Sequence, residues 1–427
     1  MGKTKITIVG GGSYAWTPTI VRDIVVTSEL EGSTICLHDI DPQAMKLTAR
    51  AARRCIRQAK AHFKVESTES RRDALRGADY VILTISTGGL EAMRHDLEIP
   101  YKYDIYQPVG DTVGPGGLNR ALRNIPVVVA IARDMERYCP DAWLLNYTNP
   151  MTTLTRSVTK TTSIRTIGLC HELYGTIRSI RRWLDLAPEV PIEARVGGIN
   201  HLPWILDLAI DGKDGMEMLR RFVRRNGTSA STVKLELFKV YGALPAAGDR
   251  HVCEWFPYFL TKESNWGAKF GVKLTTIEER YGWLKNAQQR TKDLASGKQR
   301  FDLRPSQEAA SRLIAGLVTG THAVDILNLP NRGQLPDLPM DAVVETMGAA
   351  GPMGAQGFSV GPLPRGIAGH LKKLVTMQEM VVEAALTGDR KLALQALLMD
   401  PLVTEYSTAK KMLDAMLRAT KAYLPQF

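Results

Sequence analysis

The sequence predicts an α/β fold: a Rossmann-type, doubly wound parallel sheet, followed by a second α+β domain that is mainly helical. Three observations support this prediction. A β-branched run at residues 5–9 leads directly into the glycines of GGGSYAWTP. Short apolar runs then alternate with segments of helical length until about residue 169, which is typical of a parallel sheet. After about residue 190, long helical periodicity takes over.

The first part of the chain contains the elements of the predicted parallel sheet. Strands are predicted at 5–9, 33–38, 63–66, 80–84, 143–147 and 163–169. Helices are predicted from the glycine loop to Ser28 and at 42–62, 71–76 and 118–138. Pro42 suits the first turn of its helix, where a missing N–H costs nothing.

The second part has a different pattern. Two apolar, strand-like pieces lie within 195–210, around GGINHLPW. Helical periodicity follows from Gly215 to the C-terminus, broken by a Gly/Pro-rich stretch at 327–365. We therefore divide the chain into residues 1–190, a dinucleotide-binding domain, and residues 191–427, a domain for substrate, metal and oligomer contacts. The second domain is expected to wrap back over the first.

Composition narrows the possible function classes. The chain has 427 residues and a formal net charge of +11, but its basic residues are not interleaved with stacking aromatics. The positive charge predicts solvated helix faces, or alternatively a field that attracts a small anionic substrate. We expect neither nucleic acid nor membrane as a partner. Five scattered cysteines and the lack of a signal-peptide pattern predict reduced thiols and a cytoplasmic location.

The glycine loop Gly10-x-Gly12-x-x-Ala15 follows a predicted strand and opens a helix. Such a loop, which includes Ser13, brings the backbone close to a pyrophosphate at a helix N-terminus. Asp39 ends the second predicted strand, where a carboxylate can bind ribose hydroxyls. The pattern predicts an NAD site, and the alternative is an ordinary glycine turn.

Polar side chains follow two later strands of the predicted sheet. Asn146 and Asn149 end the strand 143–147, where ligands lie in doubly wound sheets, although an Asn/Pro turn would also explain them. The pairs Cys170-His171 and Asn200-His201 each follow glycine-containing strand ends. A thiolate and an imidazole are suitable ligands for a divalent metal, whereas isolated Cys and His residues usually belong to a core.

Two polar segments follow the strand at 80–84. These segments, 94–100 (RHDLEIP) and 109–117 (VGDTVGPGG), contain the charges and glycines expected of a substrate-contacting loop. A solvated loop would explain them equally well.

Taken together, these motifs resemble glycoside hydrolase family 4, the NAD- and divalent-metal-dependent glycosidases. The resemblance covers nearly the whole chain, because VGGGSYAWTP, RHDLEIP, VGDTVGPGG, NYTNP, GLCH and GINH occur in order, followed by NLPNRGQLPDLP, VGPLP and VEAALTGDRKLALQALLMDPLV. It implies a C-terminal part like that of lactate and malate dehydrogenases.

The resemblance implies a role for individual residues. Gly10, Gly12, Ser13, Asp39 and Asn149 match cofactor positions, and Cys170 and His201 match the pair that holds Mn²⁺. Arg94, Asn149, Asn200 and Glu172 match substrate positions, while Arg250 and Arg332 are inferred from their place in the chain. Asp111 matches an acidic residue of the site, and His171 the acid near the leaving group. Asp249 is the expected C2 base, with Tyr241 as the alternative.

The resemblance also implies a reaction. NAD takes hydride from C3 of the sugar, which acidifies the C2 proton, and the metal stabilises the resulting enolate. A base removes the C2 proton, the C1 substituent is eliminated, water adds, and the hydride returns.

The residues after Cys170 read His-Glu-Leu, which is most similar to the α-galacturonidase branch of the family. A uronate also suits the positive charge, because arginine binds carboxylates bidentately. The alternatives within the family are an α-galactosidase and an α-glucuronidase. Outside it they are an NAD-dependent dehydrogenase and a non-catalytic NAD sensor. We expect a homodimer or homotetramer, paired through apolar helices near 373–400.

Overall fold

The computed structural model describes residues 4–427; the first three residues of the predicted N-terminal domain lie outside the described part. The strands are β1 (Lys5–Val9), β2 (Thr34–His38), β3 (Lys64–Thr68), β4 (Tyr80–Leu83), β5 (Trp143–Asn146), β6 (Arg165–Gly168), β7 (Ile192–Ile199), β8 (Leu202–Ile210), β9 (Lys213–Asp214), β10 (Leu244–Pro245), β11 (Ala323–Pro330), β12 (Val343–Gly351) and β13 (Gly354–Gly357).

The helices cover both faces of the sheet that these strands form. They are α1 (Thr17–Val26), α2 (Pro42–Ala59), α3 (Arg71–Leu75), α4 (Gly89–Tyr101), α5 (Gly114–Tyr138), α6 (Met151–Thr161), α7 (Glu172–Trp183), α8 (Gly215–Asn226), α9 (Thr232–Tyr241), α10 (Asp249–Trp255), α11 (Ile277–Ser296), α12 (Ala310–Thr319), α13 (Arg365–Thr387), α14 (Arg390–Met399) and α15 (Tyr406–Ala419).

The first six strands form the predicted parallel sheet. Their order is β3-β2-β1-β4-β5-β6, and each neighbouring pair is parallel. This is the Rossmann order, in which ligands bind beyond the carboxyl ends of the strands, near the point where the strand order reverses. The predicted fold class is confirmed.

The sheet continues from the first half of the chain into the second. Strands β11, β12, β7, β8 and β10 extend it beyond β6 through antiparallel pairs. One row of paired residues joins Gly168, Asn328, Glu345 and Gly198 across four strands. The ends of β6 and β7 therefore lie at the same level, separated by two strands that come from much later in the chain.

Helices of the second half pack against the first half, as expected from the sequence. Helix α11 packs on α2, α12 on α1, and α13 on α5 and α6. Leu371, Leu374 and Val382 of α13 are fully or almost fully buried within the chain. None of the helices in residues 4–427 has both the length and the apolar character needed to span a bilayer.

Two local predictions are wrong. Residues 94–100 belong to α4 and are not a loop, because Met93 and Leu97 are buried one helical turn apart while Arg94 and Glu98 pair on the other face. The Gly/Pro-rich stretch 327–365 contains the second half of β11 and all of β12 and β13. These strands were missed because polar and glycine residues interrupt their apolar runs.

Helix α2 has a side-chain cap that can be tested. Asp41 Oδ1 accepts hydrogen bonds from the N–H groups of Gln43 (2.9 Å) and Ala44 (3.0 Å), and Pro42 occupies the first turn. Replacing Asp41 with alanine leaves both donors without this acceptor, so we expect a loss of about 1 kcal/mol in the free energy of unfolding. Urea unfolding measures it. Asp41→Asn retains a capping oxygen and should lose far less; equal losses would contradict the capping role.

Candidate active site

The glycine loop lies between β1 and α1 at the carboxyl edge of the parallel sheet. Gly10 has φ 88°, and a Cβ there would lie 2.2 Å from the carbonyl oxygen of Thr84, so only glycine fits. Gly12 N–H donates to Asp39 Oδ2 (2.7 Å), and a Cβ on Gly12 would lie 2.8 Å from that oxygen. Ser13 Oγ accepts from Trp16 N–H (3.3 Å). The loop thus keeps its backbone open to a ligand beside Asp39.

A second group of polar residues follows β5, β6 and β7. Asn149 lies beyond β5 and Cys170 beyond β6, whereas Asn200 and His201 form the turn between β7 and β8. His201 has φ 63°, a left-handed conformation. The row of paired residues described above brings these ends of β6 and β7 to the same level of the sheet.

The side chains of Asp111 and His251 lie close to that of His201. One ligand atom each from Asp111, His201 and His251 lies within 4.8 Å of the other two, and the two imidazole centroids are 3.8 Å apart. Burial, reinforced by His251, lowers the pKa of His201 to about 3. His201 is therefore neutral at pH 7 and has a nitrogen lone pair for a metal.

Cys170 lies among acidic side chains. Burial raises the pKa of its thiol well above the ordinary value, and the negative charges of Glu345 and Glu172 add to this effect. Burial also raises the pKa of Glu345 to about 8. A divalent cation would favour the thiolate and offset the nearby negative charge. The Cys170 thiolate and the imidazoles suit a borderline divalent metal, and the nearby Asp111 carboxylate also suits a harder one such as Mn²⁺.

Several buried polar atoms in this region have no hydrogen-bond partner in the part of the chain that the structure describes. They are Asn149 Oδ1, Asn200 Oδ1, Glu345 Oε1 and His251 Nδ1. The opposite ends of two of these side chains are engaged: Asn149 Nδ2 contacts Asp111 Oδ2 (3.4 Å), and Asn200 Nδ2 donates to Glu345 Oε2 (3.2 Å). Buried polar atoms are normally satisfied, so these atoms indicate a place for a polar ligand.

Two arginines next to this region each donate a hydrogen bond to a backbone carbonyl of the segment before Asp111. Arg250 Nη2 donates to the carbonyl of Pro108 (2.8 Å), and Arg280 Nη2 to that of Val109 (2.6 Å). The Nε atom of each is buried and has no hydrogen-bond partner among the described residues. Arg250 directly precedes His251 on α10, and the charge of Asp111 acts on Arg280. Two guanidinium groups with free donors are thus available to a carboxylate.

Two candidates for the C2 base have other contacts. Asp249 accepts hydrogen bonds from Ser231 Oγ (2.8 Å) and from the N–H groups of Val233 (3.3 Å) and Lys234 (3.1 Å), at the start of α9. Tyr241 packs against Trp204, with ring centroids 5.2 Å apart. The carboxylate of Asp249 is thus engaged at the start of α9, and the ring of Tyr241 is packed against Trp204.

Two predicted substrate arginines have their charges paired. Arg94 contacts Glu98 (2.8 Å) and Glu278 (3.3 Å). Arg332 contacts Asp341 (2.6 Å) and is largely exposed. Neither leaves a buried donor without a partner in the way that Arg250 does.

The two residues after Cys170 have distinct partners. His171 Nδ1 lies 3.0 Å from Glu308, and this hydrogen bond raises the pKa of the imidazole. Glu172 Oε2 accepts from Gly248 N–H (2.7 Å), which ties α7 to the segment before α10. Asn146, in contrast, forms a hydrogen bond within its own loop: its Oδ1 accepts from Thr148 N–H (2.8 Å).

Several residues of this region were not predicted from the sequence. They are Thr112, His251, Glu254, Arg280 and Glu345. Glu254 accepts from the N–H groups of Val109 (2.7 Å) and Gly110 (2.9 Å), and burial raises its pKa to about 8. His251 and Glu254 lie one turn apart on α10. The three-residue spacing of the histidine and the glutamate in DRHVCE is the sequence pattern from which they could have been predicted.

The fold and the site together define a class. A Rossmann sheet with a polar, metal-compatible region at its strand ends is the arrangement of a dinucleotide-dependent α/β enzyme. Residues 5–186 match the family model described as "Family 4 glycosyl hydrolase", and residues 196–403 match its C-terminal domain. The chain belongs to the family 4 glycosyl hydrolases, and it is a glycosidase. The family resemblance is confirmed.

Known proteins support this membership. An alpha-galacturonidase of Thermoanaerobacterium saccharolyticum is 36% identical over 98% of this chain and 96% of its own length. The crystal structure of lplD from Bacillus subtilis has a TM-score of 0.90 and 34% identity, and covers 98% of this chain and 100% of that one.

More distant structures share the fold. A Thermotoga maritima 6-phospho-beta glucosidase, solved with manganese, NAD+ and glucose-6-phosphate, has a TM-score of 0.84 at 24% identity, with 98% of this chain and 99% of that one covered. Malate dehydrogenase of Plasmodium falciparum has a TM-score of 0.53 at 13% identity over 91% of this chain and 99% of that one. The predicted similarity to malate dehydrogenase is therefore confirmed at the level of fold.

Proposed function

We propose that this enzyme hydrolyses α-linked galacturonides, with NAD bound at the glycine loop and Mn²⁺ bound by Cys170 and His201. The observation that supports a uronate substrate is the pair Arg250 and Arg280 beside the polar region, whose buried Nε atoms have no hydrogen-bond partner within residues 4–427. A neutral hexose offers these guanidinium groups no charge, whereas the carboxylate of a uronate can accept from both Nε and Nη. The alpha-galacturonidase relative supports the same sugar.

The cofactors are assigned to residues with a suitable geometry. Gly10, Gly12 and Ser13 would face the pyrophosphate, and Asp39 the ribose of the adenosine half. Cys170 and His201 would hold the metal, with Asp111 and His251 within reach of the same point. When bound, NAD supplies reversible oxidation of the sugar, and Mn²⁺ supplies a Lewis acid.

The protein's own side chains account for binding and proton transfer. Asn149 and Asn200 have free amide oxygens that can accept from sugar hydroxyls. His171, whose Nδ1 is bound to Glu308, can donate a proton from Nε2 to the leaving group. We assign removal of the C2 proton to Asp111, since the oxygens of Asp249 already accept three hydrogen bonds.

A substrate panel tests the proposal. The enzyme is incubated with NAD, Mn²⁺ and a reductant, separately with aryl α-galacturonide, α-glucuronide and α-galactoside. We expect aglycone release that is fastest from the galacturonide, without net NADH accumulation, and abolished by EDTA. Preferred release from another glycoside would contradict the proposed sugar. Stoichiometric NADH formation without aglycone release would indicate a dehydrogenase.

Replacing Gly12 with alanine is expected to weaken NAD binding at least about tenfold, because the added Cβ would lie 2.8 Å from Asp39 Oδ2 and displace that carboxylate. Fluorescence titration with NAD measures the change. Gly282→Ala is the matched control: it lies within α11, with nothing within 4 Å of an added Cβ. It should leave NAD affinity unchanged and stabilise the fold by about 0.5–1 kcal/mol. Equal NAD affinity in the two variants would contradict the assignment of the loop.

We also propose that the enzyme acts as a homodimer or homotetramer. Exposed apolar side chains, among them Val240, Tyr258 and Met353, offer surface for subunit contacts. Light scattering coupled to size-exclusion chromatography tests this, and a monomer at micromolar concentration would contradict it.

A further inference from the structure

Thr112 connects two of the groups that surround the proposed metal position. Its hydroxyl lies 2.7 Å from Asp111 Oδ1 and 2.8 Å from Nδ1 of His201. Thr112 and His201 are both buried, with 8% and 4% of their surface exposed, so water does not compete freely for these bonds. The three side chains form a short chain of hydrogen bonds, carboxylate to hydroxyl to imidazole.

The donors and acceptors in this chain can be assigned from their chemistry. A threonine hydroxyl has one hydrogen to donate, and an ionised carboxylate can only accept. The hydroxyl of Thr112 therefore donates to Asp111 and must accept from His201. It follows that Nδ1 of His201 carries the hydrogen and that Nε2 has the free lone pair.

The backbone around Thr112 is held firmly enough to maintain this contact. Glu254 accepts hydrogen bonds from Val109 N–H and Gly110 N–H, immediately before Asp111. On the other side, a Cβ on Gly117 would lie 2.4 Å from the carbonyl carbon of Thr112, so the first turn of α5 packs directly on the residue. This explains why the segment VGDTVGPGG contains glycine at that point.

We infer that Thr112 is a positioning residue that sets the tautomer of His201, so that Nε2 presents its lone pair to the divalent cation. The inference rests on the proposed function, which places the metal at Cys170 and His201. Hydrogen bonds to the second nitrogen of a metal-binding histidine orient the ring, and their removal usually weakens metal binding by about 10- to 100-fold.

Two substitutions separate the hydroxyl from the shape of the side chain. Thr112→Val keeps the branched shape but removes the donor, whereas Thr112→Ser keeps the hydroxyl. We expect the valine variant to bind Mn²⁺ about 10- to 100-fold more weakly, and the serine variant to stay within about threefold of the wild type. Titration of the full-length enzyme with MnCl₂, with free Mn²⁺ followed by electron paramagnetic resonance, measures the affinity directly.

The outcomes distinguish this inference from the proposed function. If the wild type binds Mn²⁺ and the valine variant binds it equally well, the role of Thr112 is overturned while the metal site stands. If the serine variant loses as much affinity as the valine variant, the hydroxyl is not responsible and the inference is also overturned. Failure of the wild type to bind Mn²⁺ would overturn both the proposed site and the inference.

A second measurement does not depend on the Thr112 variants or on metal. Nitrogen-15 spectra of the metal-free wild type, labelled at histidine, distinguish protonated from unprotonated ring nitrogens. We expect the resonances of His201, assigned by their loss in His201→Asn, to show hydrogen on Nδ1 and none on Nε2. The opposite tautomer would overturn the inference.

Discussion

Replacing Cys170 with alanine is expected to lower kcat/KM on aryl α-galacturonide by about 10³-fold or more. The thiolate is one of two proposed protein ligands, and a Lewis-acid metal contributes several kcal/mol of transition-state stabilisation, each 1.36 kcal/mol being about tenfold in rate. Mn²⁺ affinity should fall in parallel. Activity is measured at saturating NAD and several Mn²⁺ concentrations, so that any partial recovery at high metal becomes visible.

Cys55→Ala is the matched control for this experiment. Cys55 is fully buried on α2, and its thiol is surrounded by the core of the parallel sheet. Its removal should cost some stability but leave kcat/KM and Mn²⁺ affinity within about twofold of the wild type. If Cys170→Ala keeps the activity of Cys55→Ala, the thiol is not a ligand and the proposed metal site is wrong.

Replacing Arg250 with methionine is expected to lower kcat/KM on the galacturonide by about 10²- to 10³-fold. Removing one partner from a buried, hydrogen-bonded charge pair costs about 3–4 kcal/mol, which corresponds to that factor. The same substitution should change kcat/KM on the galactoside far less, because that sugar has no carboxylate. The ratio of the two values therefore measures carboxylate recognition. Arg280→Met should shift this ratio in the same direction.

The control for the arginine variants is Arg304→Met. Arg304 is largely exposed and pairs with the neighbouring Asp302, so its loss should leave kcat/KM on both substrates unaffected. If Arg250→Met and Arg280→Met reduce both substrates equally, the arginines support the loop at Pro108 and Val109 and do not recognise a uronate. The galactosidase alternative would then gain support.

Local periodicity was sufficient for the parallel half of the fold. Strands such as β1 and β4 are short, buried and followed at once by a glycine turn or a helix, so their pattern is contained within a few residues. The same holds for Gly10, Gly12 and Asp39, whose relation follows from adjacent strands of one βαβ unit. Strands β11 and β12 could not be recognised in this way, because buried polar residues such as Asp325, Asn328 and Glu345 interrupt their apolar runs.

The candidate site likewise contains residues that the local sequence predicts and an arrangement that only the tertiary structure provides. Glycine-led pairs at strand ends pointed to Cys170 and His201, but their spacing in the chain does not bring them together. The structure places the strand ends before them at one level of the sheet through β11 and β12, whose residues Asn328 and Glu345 stand between Gly168 and Gly198 in one row. Glu345 thereby becomes a buried neighbour of the thiol.

The sequence alone therefore determined the Rossmann-type sheet, the glycine loop and the family, because each depends on short motifs of residues that are neighbours in the chain. Only the tertiary structure decided which side chains share the polar region. It brings His251 from α10 and Thr112 from the segment before α5 to His201, and it commits Asp249 to the start of α9. Such contacts depend on how distant segments pack, and the pattern of neighbouring residues carries no record of that packing.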